Sequence, residues 1–154
     1  MPFAETAETL EGFRRAGKIR AIGVRNFSPA QMAAFGAKAA LTTIQPPYNL
    51  FEREIEKDVL PYAEQHGLTV LAYGALCRGL LAGKMTADTK FEGDDLRKSD
   101  PKFRQPRFGQ YLAAAQKLDA LARDRYGKTV LALAVRRLLD RGKIIALWGA
   151  RHPG

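Results

Sequence analysis

Apolar positions along the chain change period in a regular way. Over residues 4–16, Ala7, Leu10 and Phe13 recur at helical spacing, and Arg14 and Arg15 sit in the last turn, where cations complement the helix dipole. Gly17 follows as a stop. The run IRAIGV at 19–24 reads as a strand. Ser28-Pro29-Ala30-Gln31 is a compact helix start, with a capping serine, a proline at the first helical position and a glutamine placed to close a capping box. That helix is predicted to run to about Ala39. Residues 41–45 form a second strand, ended by Pro46-Pro47, neither of which can donate to a ladder. A helix over 54–65 stops at Gly67. Residues 68–72, LTVLA, are short, partly β-branched and bounded by glycine, which predicts a buried strand ending at Tyr73. A polar stretch over 85–109 has no sustained period. Helices are predicted over 110–126, with Leu118, Leu121 and Ala122 on one face, and over 130–140, with Leu131, Ala134, Val135 and Leu138 on one face. Gly127 and Gly142 are their stops, and 144–147 is a fourth strand.

The order is helix, then β-α-β-α-β-loop-α-α-β. Strands alternating with helices at crossover length imply parallel pairing and an α/β domain, here a single domain over 1–154 with 85–109 as a long polar loop within it. Asn26, Gln45, Tyr73 and Gly149 all fall at carboxyl ends of strands, where parallel α/β proteins bind ligands. Gly74, Gly79 and Gly83 beyond the third strand, with Arg78 and Lys84 among them, suit close backbone approach to a phosphate. The ring of Tyr73 can lie against a flat heterocycle. No G-x-G-x-x-G follows the first strand, which argues against a Rossmann unit.

Composition narrows the classes. Hydrophobic residues make up 46% of the chain, enough for a packed core, and no apolar run is long enough for a membrane span. The opening MPFAETAETLEGF lacks the basic start and long apolar region of a signal peptide. One cysteine, Cys77, excludes an internal disulfide and a cysteine zinc cluster, and fits a reducing cytoplasm. His66 and His152 are too far apart to suggest a histidine metal site. The net charge of +9 favours an anionic partner, a phosphorylated cofactor or nucleic acid. The cations are scattered apart from a denser region at 97–107, with no aromatic interleaving and no zinc-finger spacing, so nucleic acid is disfavoured.

Four segments in order carry a resemblance. Gly17-Lys18-Ile19-Arg20-Ala21-Ile22-Gly23-Val24-Arg25-Asn26-Phe27-Ser28 resembles the G-K-I-R-x-I-G-V-S-N-F-S segment of aldo-keto reductases. Gln45-Pro46-Pro47-Tyr48-Asn49 resembles their Q-x-x-Y-N. Leu71-Ala72-Tyr73 with Arg78-Gly79-Leu80-Leu81-Ala82-Gly83-Lys84 resembles A-Y-x-x-L-x-x-G-L-L-x-G-K, and Gly149-Ala150-Arg151 resembles the P-G-A-R at the last barrel strand. The resemblance implies a (β/α)8 TIM-barrel family, here its C-terminal half, strands five to eight. It implies a reductase of small aldehydes or ketones using NADPH or, alternatively, NADH. By similarity Asn26 and Gln45 hold the nicotinamide carboxamide and Tyr73 stacks on the ring. Backbone of Gly74, Ala75, Leu76 and on to Arg78 surrounds the pyrophosphate. Gly149, Ala150 and Arg151 complete the set, with Arg151 near the adenosine 2′-phosphate.

The departures are specific. Arg25 stands where the family usually has serine, and it can face phosphates or a substrate anion instead. Gly74-Ala75 replaces Ser-Pro, and Trp148 replaces a proline. No position matches the family's catalytic aspartate, tyrosine, lysine and histidine, which lie on earlier strands. Tyr48, Tyr62, Tyr111 and Tyr126 read as packing or surface residues, Cys77 as an apolar filler and His66 as a helix-end residue. The expectation is a cofactor-binding half without proton-transfer groups. The alternatives are a half-barrel binding or scaffold module that homodimerises, or a fragment needing an N-terminal partner.

Overall fold

A parallel sheet of four strands, β1 (Gly23–Arg25), β2 (Thr43–Gln45), β3 (Thr69–Tyr73) and β4 (Ile144–Leu147), runs in chain order through the computed structural model, which describes residues 3–149. Helix α1 (Phe3–Arg15) precedes it, α2 (Pro29–Gly36) joins β1 to β2, and α3 (Val59–Gln65) joins β2 to β3. Helices α4 (Arg107–Tyr126) and α5 (Val130–Leu139) lie between β3 and β4. The alternation read from the sequence is therefore realised as parallel crossovers, and the sheet is not closed.

Among the described residues, only one face of the sheet is covered. Register sets Val24 beside Ile44, Ile44 beside Val70 and Val70 beside Ile144. These side chains, with Ala72 and Ala146, pack on Met32 of α2, Val59 and Ala63 of α3 and Leu138 of α5. The alternate positions Arg25, Gln45, Leu71, Tyr73, Ile145 and Leu147 form the opposite face, where Ile145 is 51% exposed. Parallel sheets are ordinarily buried on both faces. β1 lies close against β2 at Gly23: a Cβ there would lie 2.1 Å from Thr43 Oγ1, so any larger residue would force the Thr43 side chain to move.

Several elements differ from the sequence reading for local reasons. The Ser28 start is realised in full: its hydroxyl accepts from the Gln31 N–H, and the Gln31 amide oxygen accepts from the Ser28 N–H. β1 begins at Gly23 rather than at 19, since Ile19 and Ile22 pack against Ala7 of α1 and Phe35 of α2. The helix expected over 54–65 is two pieces, a 3-10 turn at Glu54–Glu56 and then α3. A continuous helix would bury Pro61 in its interior, where it removes a hydrogen bond and clashes with the preceding turn. The restart at Asp58, whose carboxylate accepts from the Val59 N–H at 2.6 Å, leaves Pro61 in a first turn that needs no donor.

The 85–109 segment is more ordered than its polarity suggests. It holds 3-10 turns at Leu96–Lys98 and Pro101–Phe103, capped by Asp95 and Asp100, and α4 starts at Arg107 rather than 110. Phe91, Phe103 and Phe108 meet at centroid distances of 5.1, 5.8 and 5.9 Å, pinning the segment to a second core with Cys77, Leu80 and Leu81. On α5 the buried stripe is Val130, Ala134 and Leu138, so Leu131 faces outward. On α4 Phe108, Leu112, Ala115 and Ala122 are buried, and Leu121 is exposed. Phe13 of α1 is likewise exposed. No described helix is long and apolar enough to cross a membrane.

Candidate functional site at the strand ends

Three of the residues singled out by sequence meet where β1, β2 and β3 end. Just beyond β1, Asn26 adopts the left-handed conformation, with φ of 56°, which asparagine tolerates better than most residues. Its N–H donates to the Gln45 carbonyl at 3.2 Å, and the Tyr73 hydroxyl donates to Asn26 Oδ1 at 3.2 Å. Gln45 pairs in register with Arg25, whose guanidinium lies 4.4 Å from the centre of the Tyr73 ring. Asn26, Gln45 and an aromatic ring thus come together at one end of the sheet, with a cation over the ring.

Beside them runs a groove of about 710 Å³, lined by Gly74, Ala75, Leu76, Arg78 and Gly79 on one side and Leu147, Trp148 and Gly149 on another. Asp94, Asp95, Leu96 and Arg97 line it from the 85–109 segment. That volume is in the range of small-molecule sites. Gly74, Cys77, Arg78 and Gly79 all have positive φ, between 47° and 97°, so the chain turns tightly along the groove. The amide N–H groups of Ala75 and Leu76 donate to no acceptor among the described residues. Backbone donors exposed along such a turn suit an anion.

The cations nearby are mostly committed. Arg78 pairs with Asp100 at 3.2 Å, and Lys102 bridges Asp100 at 3.3 Å and Glu52 at 2.7 Å. Burial alone would raise the Asp100 carboxyl, but hydrogen bonds and charge from Lys102, with Arg78, outweigh it and hold it below the ordinary value. Arg97 pairs with Asp95 at 2.5 Å. Lys84 is exposed and does not line the groove.

Asn49 is a positioning residue that local sequence patterns did not single out. It is 1% exposed; its side-chain nitrogen donates to the Gly74 carbonyl at 3.0 Å and to Glu52 at 2.6 Å, and its oxygen accepts from the N–H groups of Phe51 and Glu52. It ties the β2 loop to the turn that opens the groove. The signal available was its place at the end of the Gln45–Asn49 segment.

Other reactive residues take structural roles. Tyr48 is buried, and its hydroxyl donates to Glu56 at 2.6 Å; burial, then Glu56, pushes its pKa up, the wrong direction for a proton donor. Tyr62 stacks on His66 at 3.9 Å, Tyr111 packs against Phe51, and Tyr126 is exposed. Burial pushes the Cys77 thiol up to about 12. Among the described residues no cluster of histidine, cysteine, aspartate and glutamate could hold a metal. Ala150 and Arg151 lie outside the described residues.

Comparison with known proteins adds a lineage to this geometry. A family model described as the aldo/keto reductase family matches residues 1–154. The chain is 63% identical over 155 residues to aldo-keto reductase YhdN of Bacillus subtilis (strain 168), covering 100% of this chain and 47% of that protein. It is 29% identical over 153 residues to an NADH-specific methylglyoxal reductase of Escherichia coli (strain K12), covering 99% and 46%. Its fold superposes on the glycerol dehydrogenase AKR11B4 from Gluconobacter oxydans with a TM-score of 0.93 at 61% identity, over 99% of this chain and 46% of that one. An aldo-keto reductase from Klebsiella pneumoniae in complex with NADPH gives a TM-score of 0.67 at 29% identity, over 97% and 44%. The chain spans about half the length of the relatives it matches. With a family match along its whole length and a parallel sheet that forms part of a (β/α)8 barrel, the chain belongs to the aldo/keto reductase family of oxidoreductases.

Proposed function

We propose that this chain supplies the cofactor floor of a carbonyl reductase, with NADPH the preferred cofactor and NADH the other candidate. The observation that carries the reading is the convergence of Asn26, Gln45 and Tyr73 beside a groove with free backbone donors. The donor set fits a nicotinamide dinucleotide. Each carboxamide offers both a donor and an acceptor to an amide, Tyr73 offers a ring face, and the Ala75 and Leu76 N–H groups offer donors to a pyrophosphate. Gly149 lines the groove, and Ala150 and Arg151 are assigned by resemblance, Arg151 to the 2′-phosphate. When bound, the reduced nicotinamide supplies the hydride that turns an aldehyde or ketone into an alcohol. A solved relative holds NADPH, and another relative is named NADH-specific, so both cofactors stand in the reading.

The proton is a separate matter. Tyr73 is assigned as the floor for the ring, and the other described tyrosines are held in polar or stacking contacts or, as Tyr126, stand exposed at the end of α4. The proton donor in this reading comes from polypeptide beyond these four strands. A general acid typically contributes on the order of 10²–10⁴-fold in rate. Titration of the chain with NADPH, followed by cofactor fluorescence, is expected to show saturable binding with no turnover of an added aldehyde. No binding at millimolar cofactor would remove the reading.

The uncovered sheet face favours a second reading, a half-barrel module that binds or scaffolds. Leu71, Ile145 and Leu147 line that face, Trp148 is 52% exposed, and the outer edges of β1 and β4 pair with nothing among the described residues. Such edges and apolar surface invite completion by a second copy or an N-terminal half. Sedimentation over a range of concentrations is expected to show a dimer that dissociates on dilution. A monomer at all concentrations that also fails to bind an added N-terminal half sinks this second reading.

A further inference from the structure

Arg25 occupies a position that the cofactor-floor reading does not explain. It pairs in register with Gln45. Continuing the β2–β3 register sets Gln45 beside Leu71, two residues before Tyr73, so Arg25, Gln45 and Tyr73 share one sheet face. The side chain reaches across β2 to place its guanidinium 4.4 Å from the Tyr73 ring centre. Arg78 and Arg97 near the groove are each held by an aspartate, but no carboxylate pairs with Arg25 among the described residues. A cation with no carboxylate partner among the described residues therefore holds one side of the Tyr73 ring, and a heterocycle resting on that ring within reach of Gln45 must adjoin it.

We propose that Arg25 makes this floor discriminate between the two redox states of its cofactor, favouring the reduced nicotinamide over the oxidised one. The inference rests on the cofactor-floor reading. The reduced ring is neutral, and the oxidised ring carries a positive charge. Like charges about 6 Å apart, at an effective dielectric between those of a protein surface and water, repel enough to change affinity about tenfold. The ring face adds to this in the same direction. An aromatic face attracts cations, and with Arg25 already on Tyr73 that attraction is partly taken up, at the expense of the cationic ring. Phosphate, ribose and adenine contacts are common to both forms and cancel in the ratio of their affinities.

Dissociation constants for NADP+ and NADPH, measured on the full chain at one ionic strength, test this through their ratio. In Arg25→Met, which keeps length and removes charge, the preference for NADPH is expected to fall about tenfold. In Arg25→Lys, which keeps the charge beside the ring, it is expected to stay within about threefold of the parent. Arg25 is exposed, so both variants should fold, which circular dichroism checks. An unchanged ratio in Arg25→Met overturns the inference, including the case in which both forms bind more weakly by the same factor, which would place Arg25 on the phosphates. Absence of binding by either form in all three proteins is a different failure: it removes the cofactor floor itself, and the inference with it.

Discussion

Replacing Glu56 by alanine is expected to lower the unfolding free energy by about 2 kcal/mol at neutral pH, which in a chain of this size lowers Tm by roughly 4–8 °C. Glu56 sits between β2 and α3, with its side chain 13% exposed. It accepts from the Tyr48 hydroxyl at 2.6 Å, from Arg53 at 2.8 and 3.1 Å, and from Arg137 and Arg141 at 3.2 Å. One carboxylate thus joins the connection after β2 to α5 and the turn that follows it. Without it the buried Tyr48 hydroxyl loses its short acceptor, and the guanidinium groups of three arginines are left facing one another. Breaking a fully buried pair costs more, about 3–5 kcal/mol. Arg53 and Arg141 are 55% and 43% exposed, however, so water takes up much of their charge and the expected loss is smaller.

The same network is acid-sensitive. The hydrogen bond from Arg53 leads in holding the Glu56 carboxyl down, from 4.5 to about 2, against burial, which pushes it up. A carboxyl with a depressed folded-state pKa contributes its full stability above its unfolded value and loses it as pH falls through the folded one. The gap between the parent and Glu56→Ala should therefore be widest above about pH 5 and close toward pH 2. Urea unfolding at pH 7 and pH 3 reads both parts. Equal stability of the two proteins at pH 7 would show that the arginines rehydrate without loss, and would overturn the account.

How much was legible beforehand follows from what is local. The Ser28–Gln31 start is written within four residues, and both its hydrogen bonds are present. The period of the apolar runs located every strand, because each alternate residue of β2 and β3 meets the same helical layer. The extent of β1 was not legible: Ile19 and Ile22 look the same whether they pair or pack, and α1 decides it. Pro61 was a local signal that the helix over 54–65 had to restart, and Asp58 supplied the cap. The meeting of Asn26, Gln45 and Tyr73 at one end of the sheet could be expected because parallel strands all end on the same side. The anchoring of Gly74 by Asn49, of Arg78 by Asp100 and of Lys102 by Glu52 could not, since partners so far apart in sequence leave no spacing to read. The seat of Arg25 on Tyr73 belongs with these. The motifs showed only that an unusual residue stood before Asn26.

Tyr73 carries the other large effect. If its ring is the floor for the nicotinamide, Tyr73→Leu is expected to weaken NADPH binding about 10- to 100-fold, because stacking of a nucleic-acid base on an aromatic side chain contributes roughly 1–3 kcal/mol. Leucine keeps apolar volume at the site. It also leaves the strand-end backbone bonds intact, the Tyr73 N–H to Pro46 and the Tyr48 N–H to the Tyr73 carbonyl, both at 3.1 Å. Loss of fold is therefore not the expected cause. Tyr73→Phe keeps the ring and removes only the hydroxyl bonded to Asn26 Oδ1. Asn26 is exposed, so water can replace that bond, and affinity should stay within about threefold of the parent. The pair of variants separates a stacking surface from a hydrogen-bonding post. If Tyr73→Leu binds NADPH as tightly as the parent, the ring is not the floor. If Tyr73→Phe loses as much as Tyr73→Leu, the hydroxyl and its hold on Asn26, rather than the aromatic face, shape the site.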